Sequence, residues 1–187
     1  MLSLFTVLVV FQGKATFLNM SRYSTLSERR YRRWSHRTFD FAQFNAELLQ
    51  QAFPDGHECI AAIDASFMSK SGCKTEGLGW YYNGSAGEAQ RGLEISTISI
   101  TDLKSNTAYA LDSRQTIDVE GQTRVELYAE QGIALAAKLH QLGIKYLAAD
   151  AYYSKIKFVR PVTRAAIHLV GKLRVDANLQ WLYEGEY

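Results

Sequence analysis

The chain has 187 residues, 47% of them hydrophobic and 21% charged, so it can bury a core and is neither disordered nor fibrous. Its length fits one domain, or one domain with an appendage. The net charge of +2 hides an asymmetry: residues 1–37 carry seven basic residues and one acid, a net +6, which leaves −4 for residues 38–187. A basic segment before a slightly acidic body is typical of polyanion-binding proteins, and a solvated basic helix is the alternative.

Two features bear on the compartment. Cys59 and Cys73 are too few for a disulfide framework, and their spacing matches no paired zinc motif. The apolar opening run, residues 1–11, is shorter than the ~18–20 residues of a membrane span, and no basic residue precedes it as in a signal peptide. We therefore predict a cytoplasmic protein that has no membrane partner, and a packed first helix whose start is missing.

The basic segment contains a short arginine-rich helix. Ser27 is a candidate cap, and arginines alternate with Tyr31 and Trp34, so one helix face could meet phosphates by charge and bases by stacking. Asp40 is a candidate cap for a second, amphipathic helix that stops at Pro54. Residues 27–52 thus predict a helical hairpin, either a DNA-binding helix-turn-helix or an ordinary bundle pair. The candidate DNA-binding residues are Lys14, Arg22, Arg29, Arg30, Arg32, Arg33, Trp34 and Arg37.

The periodicity changes after the first 56 residues, which we take as a basic helical segment distinct from a second domain over residues 57–187. Continuous apolar runs predict two buried strands, each ending in an aspartate, and β-branched runs predict a hairpin between them. The predicted elements are a strand over 59–63, a loop or weak hairpin over 66–92, strands over 93–100 and 107–111, a helix over 125–143, a strand over 144–149, a helix over 154–167 containing Pro161, and a strand over 168–175. This order predicts an α/β fold.

Asp64 and Asp150 end the two strongest core-strand signals. A carboxylate there is costly unless it is paired, hydrogen-bonded or bound to a metal. If the two strands are parallel neighbours, as the helical crossover between them suggests, both carboxylates emerge at the same sheet edge, where a divalent cation would relieve their repulsion. The alternative is that each aspartate caps the element that follows it.

Four segments carry a family resemblance: residues 13–23 (GKATFLNMSRY), 31–34 (YRRW), 62–66 (AIDAS) and 149–155 (ADAYYSK). No single segment is specific, but their order and spacing resemble a bacterial insertion-sequence transposase of the DDE type, in the IS4-like group. The likeness covers almost the whole chain.

The resemblance implies a ribonuclease-H-like mixed sheet flanked by helices, with an N-terminal helical DNA-binding segment. It implies that Asp64 and Asp150 are the first two catalytic aspartates, which together with a glutamate hold two Mg²⁺ ions for attack on a phosphodiester. It also implies double-stranded DNA at the transposon ends as partner, and a homodimer bridging two ends. Ser66 and Tyr153 lie beside the expected ligands, where a supporting role or ordinary packing is expected.

The chain departs from this family at its carboxyl end. The family's glutamate lies on a later helix, whereas this sequence stops at Tyr187, and neither Glu184 nor Glu186 is assigned as the third ligand. We therefore expect a truncated DDE core, incomplete at its C-terminus and catalytically deficient alone. A non-catalytic DNA-binding remnant and a ribonuclease-H-like nuclease of another family are the alternatives.

Overall fold

The computed structural model describes residues 2–53 and 58–177. The tail with Glu184 and Glu186, and Pro54 at the predicted helix stop, lie outside them. The chain forms two compact units, Met1–Asp40 and Phe41–Tyr187. The sequence placed the boundary after residue 56, but helix α4 (Phe41–Ala52) falls in the second unit because its buried Ala42, Ala46 and Leu49 belong to the core around the sheet.

The first unit contains three helices, α1 (Leu2–Val10), α2 (Phe17–Ser21) and α3 (Glu28–Ser35). Its small core is built around Val7, Met20 and Tyr31. The two helices expected as a hairpin over residues 27–52 belong to different units, α3 to the first and α4 to the second. Within the described residues, none of the helices combines the length and hydropathy that a membrane crossing requires.

The second unit is a mixed α/β structure. Its elements after α4 are β1 (Cys59–Ser69), β2 (Gly79–Asn83), β3 (Glu88–Asp102), β4 (Thr107–Gln115), α5 (Arg124–Gln141), β5 (Tyr146–Ala149), a 3₁₀ turn (Ala151–Tyr153), α6 (Ile156–Arg164) and β6 (His168–Gly171). The predicted order of strands and helices is confirmed, with β2 and the 3₁₀ turn as additions.

The six strands make one sheet with β1 near its centre. On one side β1 pairs antiparallel with β3, which pairs in turn with β2 along its first part and with β4 along its second. On the other side β1 pairs parallel with β5, and β5 pairs parallel with β6. Four strands in antiparallel pairs, β1 to β4, followed by two parallel strands, β5 and β6, with α5 and α6 as the connecting helices, form the ribonuclease-H-like mixed sheet that the family resemblance implies.

Strand β1 is longer than predicted, so Asp64 lies in mid-strand and not at a strand end. The glycine-rich stretch 66–92, expected as a loop or weak hairpin, contains β2 and the start of β3. One of its glycines, Gly92, is required by the close pairing of β1 with β3. A Cβ at Gly92 would come within 2.5 Å of the Met68 carbonyl oxygen and of the Phe67 ring. Gly92 therefore serves strand pairing here, although a glycine in sequence usually indicates a loop.

Candidate active site

Asp64 and Asp150 are brought together by the parallel pairing of β1 with β5. The last paired residues are Ile63 and Ala149, and each aspartate is the next residue in the chain, Asp64 within β1 and Asp150 directly after β5. Equivalent positions on neighbouring parallel strands project to the same side of the sheet. The expectation that the two strands are parallel neighbours is therefore confirmed, and both carboxylates are exposed at the edge where β5 ends.

The two aspartates differ in their surroundings. Asp150 caps the 3₁₀ turn, because its Oδ1 accepts a hydrogen bond of 2.9 Å from the backbone N–H of Tyr152. The alternative prediction, that the aspartate caps the element that follows it, is therefore confirmed for Asp150. It is wrong for Asp64, which lies inside β1 and precedes no helix.

A cleft of about 350 Å³ opens at this edge of the sheet. Both aspartates line it, together with a third acid, a cation and four tyrosines. The lining residues are Asp64, Ala65, Tyr82, Glu94, Arg124, Tyr128, Asp150, Tyr152 and Tyr153. Three acids against one arginine make the cleft attractive to a cation.

Glu94 was not among the residues predicted from sequence. It belongs to β3, is only 8% exposed, and accepts a hydrogen bond from the Tyr128 hydroxyl of α5. Burial, and then this bond to Glu94, raise the pKa of Tyr128, so the phenol stays protonated and acts as the donor. The bond satisfies a carboxylate that would otherwise be buried without a partner.

Tyr153 is a buried side chain that lines the same cleft as the two aspartates. The residue is 2% exposed, and its hydroxyl has no hydrogen-bond partner among the described residues. Burial raises the pKa of Tyr153 most, followed by the negative charges of Asp64 and Asp150. Its ring packs 5.0 Å from that of Phe158, so the side chain is part of the core while its hydroxyl remains a neutral donor. Ser66, the other neighbour named from the sequence, is exposed and does not line the cleft.

Arg124 supplies the positive charge of the cleft. It begins α5, where the Thr123–Glu126 capping box fixes the start of the helix. Its guanidinium lies 4.3 Å from the centre of the Tyr81 ring and donates a 3.0 Å hydrogen bond to the Trp80 carbonyl. These contacts, together with an ion pair of 3.5 Å to Asp118, hold the guanidinium in place at the cleft.

The carboxylate oxygens at the cleft supply only part of the coordination shell that a hard cation requires. Within residues 2–53 and 58–177 there is no cluster of three or more His, Cys, Asp or Glu side chains arranged to hold a metal. Two exposed carboxylates remain, Asp64 and Asp150. Mg²⁺ is commonly bound through one or two carboxylates, with water and substrate phosphates completing its shell, so this pair fits a weakly held, substrate-assisted ion.

The candidate DNA-binding side chains lie in the first unit, on or near α2 and α3. The basic ones are exposed, and Trp34 is half-buried. Arg32 forms an ion pair of 2.7 Å with Glu28, and Arg30 lies 6.0 Å from the Trp34 ring centre. Tyr31, expected on the binding face, is 1% exposed and donates to the Ser24 hydroxyl, so it serves the core.

Comparisons with known proteins give remote structural likenesses. No family model matches the chain, and no curated protein matches it in sequence. It is similar to the piggyBac transposase in a synaptic complex with hairpin DNA, at 13% identity and a TM-score of 0.42, covering 63% of this chain and 23% of that one. It is also similar to endonuclease V of Ciona intestinalis in complex with a 24mer DNA containing an inosine followed by a ribo-adenosine. There the identity is 11% and the TM-score 0.36, over 76% of this chain and 57% of that one. The chain thus spans less than two thirds of either protein.

Proposed function

We propose that this chain is part of a DDE-type DNA transposase of the bacterial insertion-sequence class, in the IS4-like group. In this proposal Asp64 and Asp150 hold Mg²⁺ at a DNA phosphate, and the basic first unit binds the double-stranded DNA of the transposon ends. The observation that carries it is the register of the two aspartates, each one residue beyond the last pair of β1 and β5.

The chain's own groups have distinct parts in this proposal. The Tyr152 N–H orients the Asp150 carboxylate, while Asp64 adds the second set of oxygens from β1. Arg124 draws a phosphate toward two acids that would otherwise repel it, and the Tyr153 hydroxyl can donate to whatever oxygen fills the cleft. When bound, Mg²⁺ would lower the pKa of a water and offset the charge that develops on the phosphate oxygens.

The first unit supplies the sequence-independent part of DNA binding. Exposed lysine and arginine side chains neutralise phosphates and release counterions, which makes affinity depend steeply on salt. The residues assigned to this contact are Lys14, Arg22, Arg29, Arg30, Arg32, Arg33, Trp34 and Arg37. A homodimer bridging two DNA ends belongs to the same proposal, and the stoichiometry of the DNA complex tests it.

The described residues give a two-carboxylate site, because Glu94 is engaged by Tyr128 and joins no three-ligand cluster. We therefore propose that this chain binds Mg²⁺ weakly and is deficient in strand cleavage by itself. A second candidate is a ribonuclease-H-like nuclease of another family. The observation that favours it is the presence of Glu94 as a third acid in the same cleft.

The test measures the affinity of the full chain for a DNA duplex with Mg²⁺ and with EDTA, at matched ionic strength. We expect Mg²⁺ to tighten binding to the wild type and to lose this effect in Asp64→Asn and Asp150→Asn. The matched control is Glu120→Gln, which removes an exposed acid outside the cleft. An equal Mg²⁺ effect in all four proteins would overturn the metal role and leave a non-catalytic DNA-binding protein.

A cleavage assay on the same DNA separates the two enzyme candidates. The transposase proposal predicts no detectable cleavage by this chain with Mg²⁺ or Mn²⁺. Cleavage that Asp64→Asn abolishes would show that the cleft is sufficient as it stands, which favours the nuclease of another family.

A further inference from the structure

Two large aromatic side chains stand exposed on β2, beside the acidic cleft. Trp80 is 66% exposed and Tyr82 is 64% exposed, while Tyr81 between them is buried. Because side chains alternate along a strand, Trp80 and Tyr82 share one face of the sheet. Tyr82 also lines the cleft that contains Asp64 and Asp150.

The strand register places this aromatic pair on the same face as Asp64. Trp80 pairs with Arg91 of β3 and Tyr82 pairs with Ala89, whereas Asp64 pairs with Thr97 of the same strand. Residues 89, 91 and 97 are separated by even steps, so their side chains and those of their partners point to one side. The two rings, Arg91 and Asp64 therefore lie on the same face of the sheet, with the partners of the rings six and eight residues along β3 from the partner of Asp64.

Tyr81, on the opposite face of β2, is an aromatic residue with a structural role. The Tyr81 ring is covered by Arg124, and its hydroxyl donates to the Thr116 carbonyl at 2.9 Å. Trp80 and Tyr82 instead expose ring surface to solvent, so packing within the described residues does not require their size. Adjacent exposed rings with a nearby cation form the surface that stacks nucleobases in proteins binding single strands.

We propose that Trp80 and Tyr82 form a stacking site for unpaired bases, so that the cleft receives DNA whose strands are separated next to the scissile phosphate. The bases of a paired duplex are stacked on one another and cannot offer their faces to these rings. This proposal rests on the proposed function for the identity of the nucleic acid. It adds the strand state of the substrate, an unpaired DNA segment, and a place where it binds.

The experiment compares the full chain's affinity for two DNAs that differ only in a three-nucleotide central bubble, measured in EDTA. A 2-aminopurine placed in the bubble reports stacking by loss of its fluorescence. We expect tighter binding of the bubble than of the duplex, and a loss of about five- to one-hundred-fold in bubble affinity for Trp80→Ala and for Tyr82→Ala. Binding through the basic first unit contributes to both DNAs and cancels in their ratio.

Two matched variants control the measurement. Tyr82→Phe keeps the ring and should keep both the preference and the quenching. Tyr146→Ala removes an aromatic residue that is also exposed but lies at the other end of β5 from Asp150, and it should leave the preference unchanged.

An equal affinity of the wild type for both DNAs, or a preference that survives both Trp80→Ala and Tyr82→Ala, would overturn the stacking site. Tighter binding of the same bubble made in RNA would overturn its assignment to DNA. These outcomes are independent of the metal role, since Asp64→Asn should retain the bubble preference. A preserved preference with no Mg²⁺ effect would therefore contradict the proposed function and leave the stacking site in place.

Discussion

Asp64 and Asp150 stand side by side because Ile63 and Ala149 are the last paired residues of two parallel strands. Neighbouring strands lie roughly 5 Å apart, so the two carboxylates repel one another whenever no cation lies between them. Both aspartates are exposed at the edge of the cleft, so this repulsion acts between solvent-exposed carboxylates and not between buried ones.

Relief of that repulsion should be measurable without any metal. In EDTA, Asp64→Asn should raise the free energy of unfolding by about 0.5–1 kcal/mol, the size of a solvent-exposed charge pair. Urea denaturation of wild type, Asp64→Asn and the control Glu120→Gln measures it. A variant no more stable than the control would show that the two charges do not interact.

Replacing Tyr153 or Tyr128 with phenylalanine removes one hydroxyl from a buried side chain in each case. Tyr153→Phe removes a buried hydroxyl without a partner among the described residues, so it should stabilise the protein by up to about 1 kcal/mol. Tyr128→Phe leaves the buried Glu94 carboxylate without its donor and should cost about 2 kcal/mol. Denaturant unfolding of both variants checks the prediction. The opposite ranking would mean that the Tyr153 hydroxyl has a structural role.

The start of α5 should give stability a defined pH dependence. Hydrogen bonds from the Thr123 hydroxyl and N–H, with Lys157 nearby, lower the pKa of Glu126 from its ordinary value of 4.5 to about 2. Because the pKa is lower in the folded chain, the stabilisation is complete above pH 4.5 and is lost as the pH falls toward 2.

Thermal unfolding of wild type and Glu126→Gln between pH 7 and pH 2 tests this. The two melting temperatures should differ at neutral pH and converge below pH 4.5, while Glu120→Gln shows no such convergence. A difference that stays constant over the whole range would show that the charge of Glu126 has no part in capping α5.

DNA binding by the first unit should depend on particular arginines. Arg29 and Arg33 are exposed and lie four residues apart on α3, without an ion pair among the described residues, whereas Arg32 is paired with Glu28. The double variant Arg29→Ala/Arg33→Ala should reduce the slope of log affinity against log salt by about 2, and Arg32→Ala by less than 1. Fluorescence anisotropy over a salt series measures both. Wild-type affinity that is flat between low and physiological salt would argue against this binding surface.

Local periodicity predicted most of the fold, and long-range pairing accounts for what it missed. The helical spacing over residues 125–143 and the apolar run over 144–149 depend only on neighbours in sequence, and both elements are present. The glycine-rich stretch 66–92 predicted a loop or weak hairpin, because the contact that requires Gly92 within β3 is with Met68, which is far away in the chain. Similarly, the membership of α4 in the second unit depends on a core that the sequence does not display.

The candidate site shows the same division. Asp64 and Asp150 could be found because each follows a buried run, but the tyrosines and Arg124 reach the cleft only through tertiary packing. A signal for Glu94 was present, since it shares a strand face with Ile98 and Ile100. An acid in line with buried apolar residues needs a partner or a function. The basic side chains of the first unit are exposed, but the two aromatic residues expected beside them differ: Tyr31 belongs to the core, and Trp34 is partly exposed.

The central claim is that Asp64 and Asp150 hold one divalent cation jointly, and Mn²⁺ titration of four proteins tests it most directly. The proteins are the wild type, Asp64→Asn, Asp150→Asn and the double variant, each measured by calorimetry. Joint binding predicts that each single change weakens the affinity about tenfold or more, and that the second change adds little to the first. Full affinity in either single variant, or losses that add independently, would contradict a shared site.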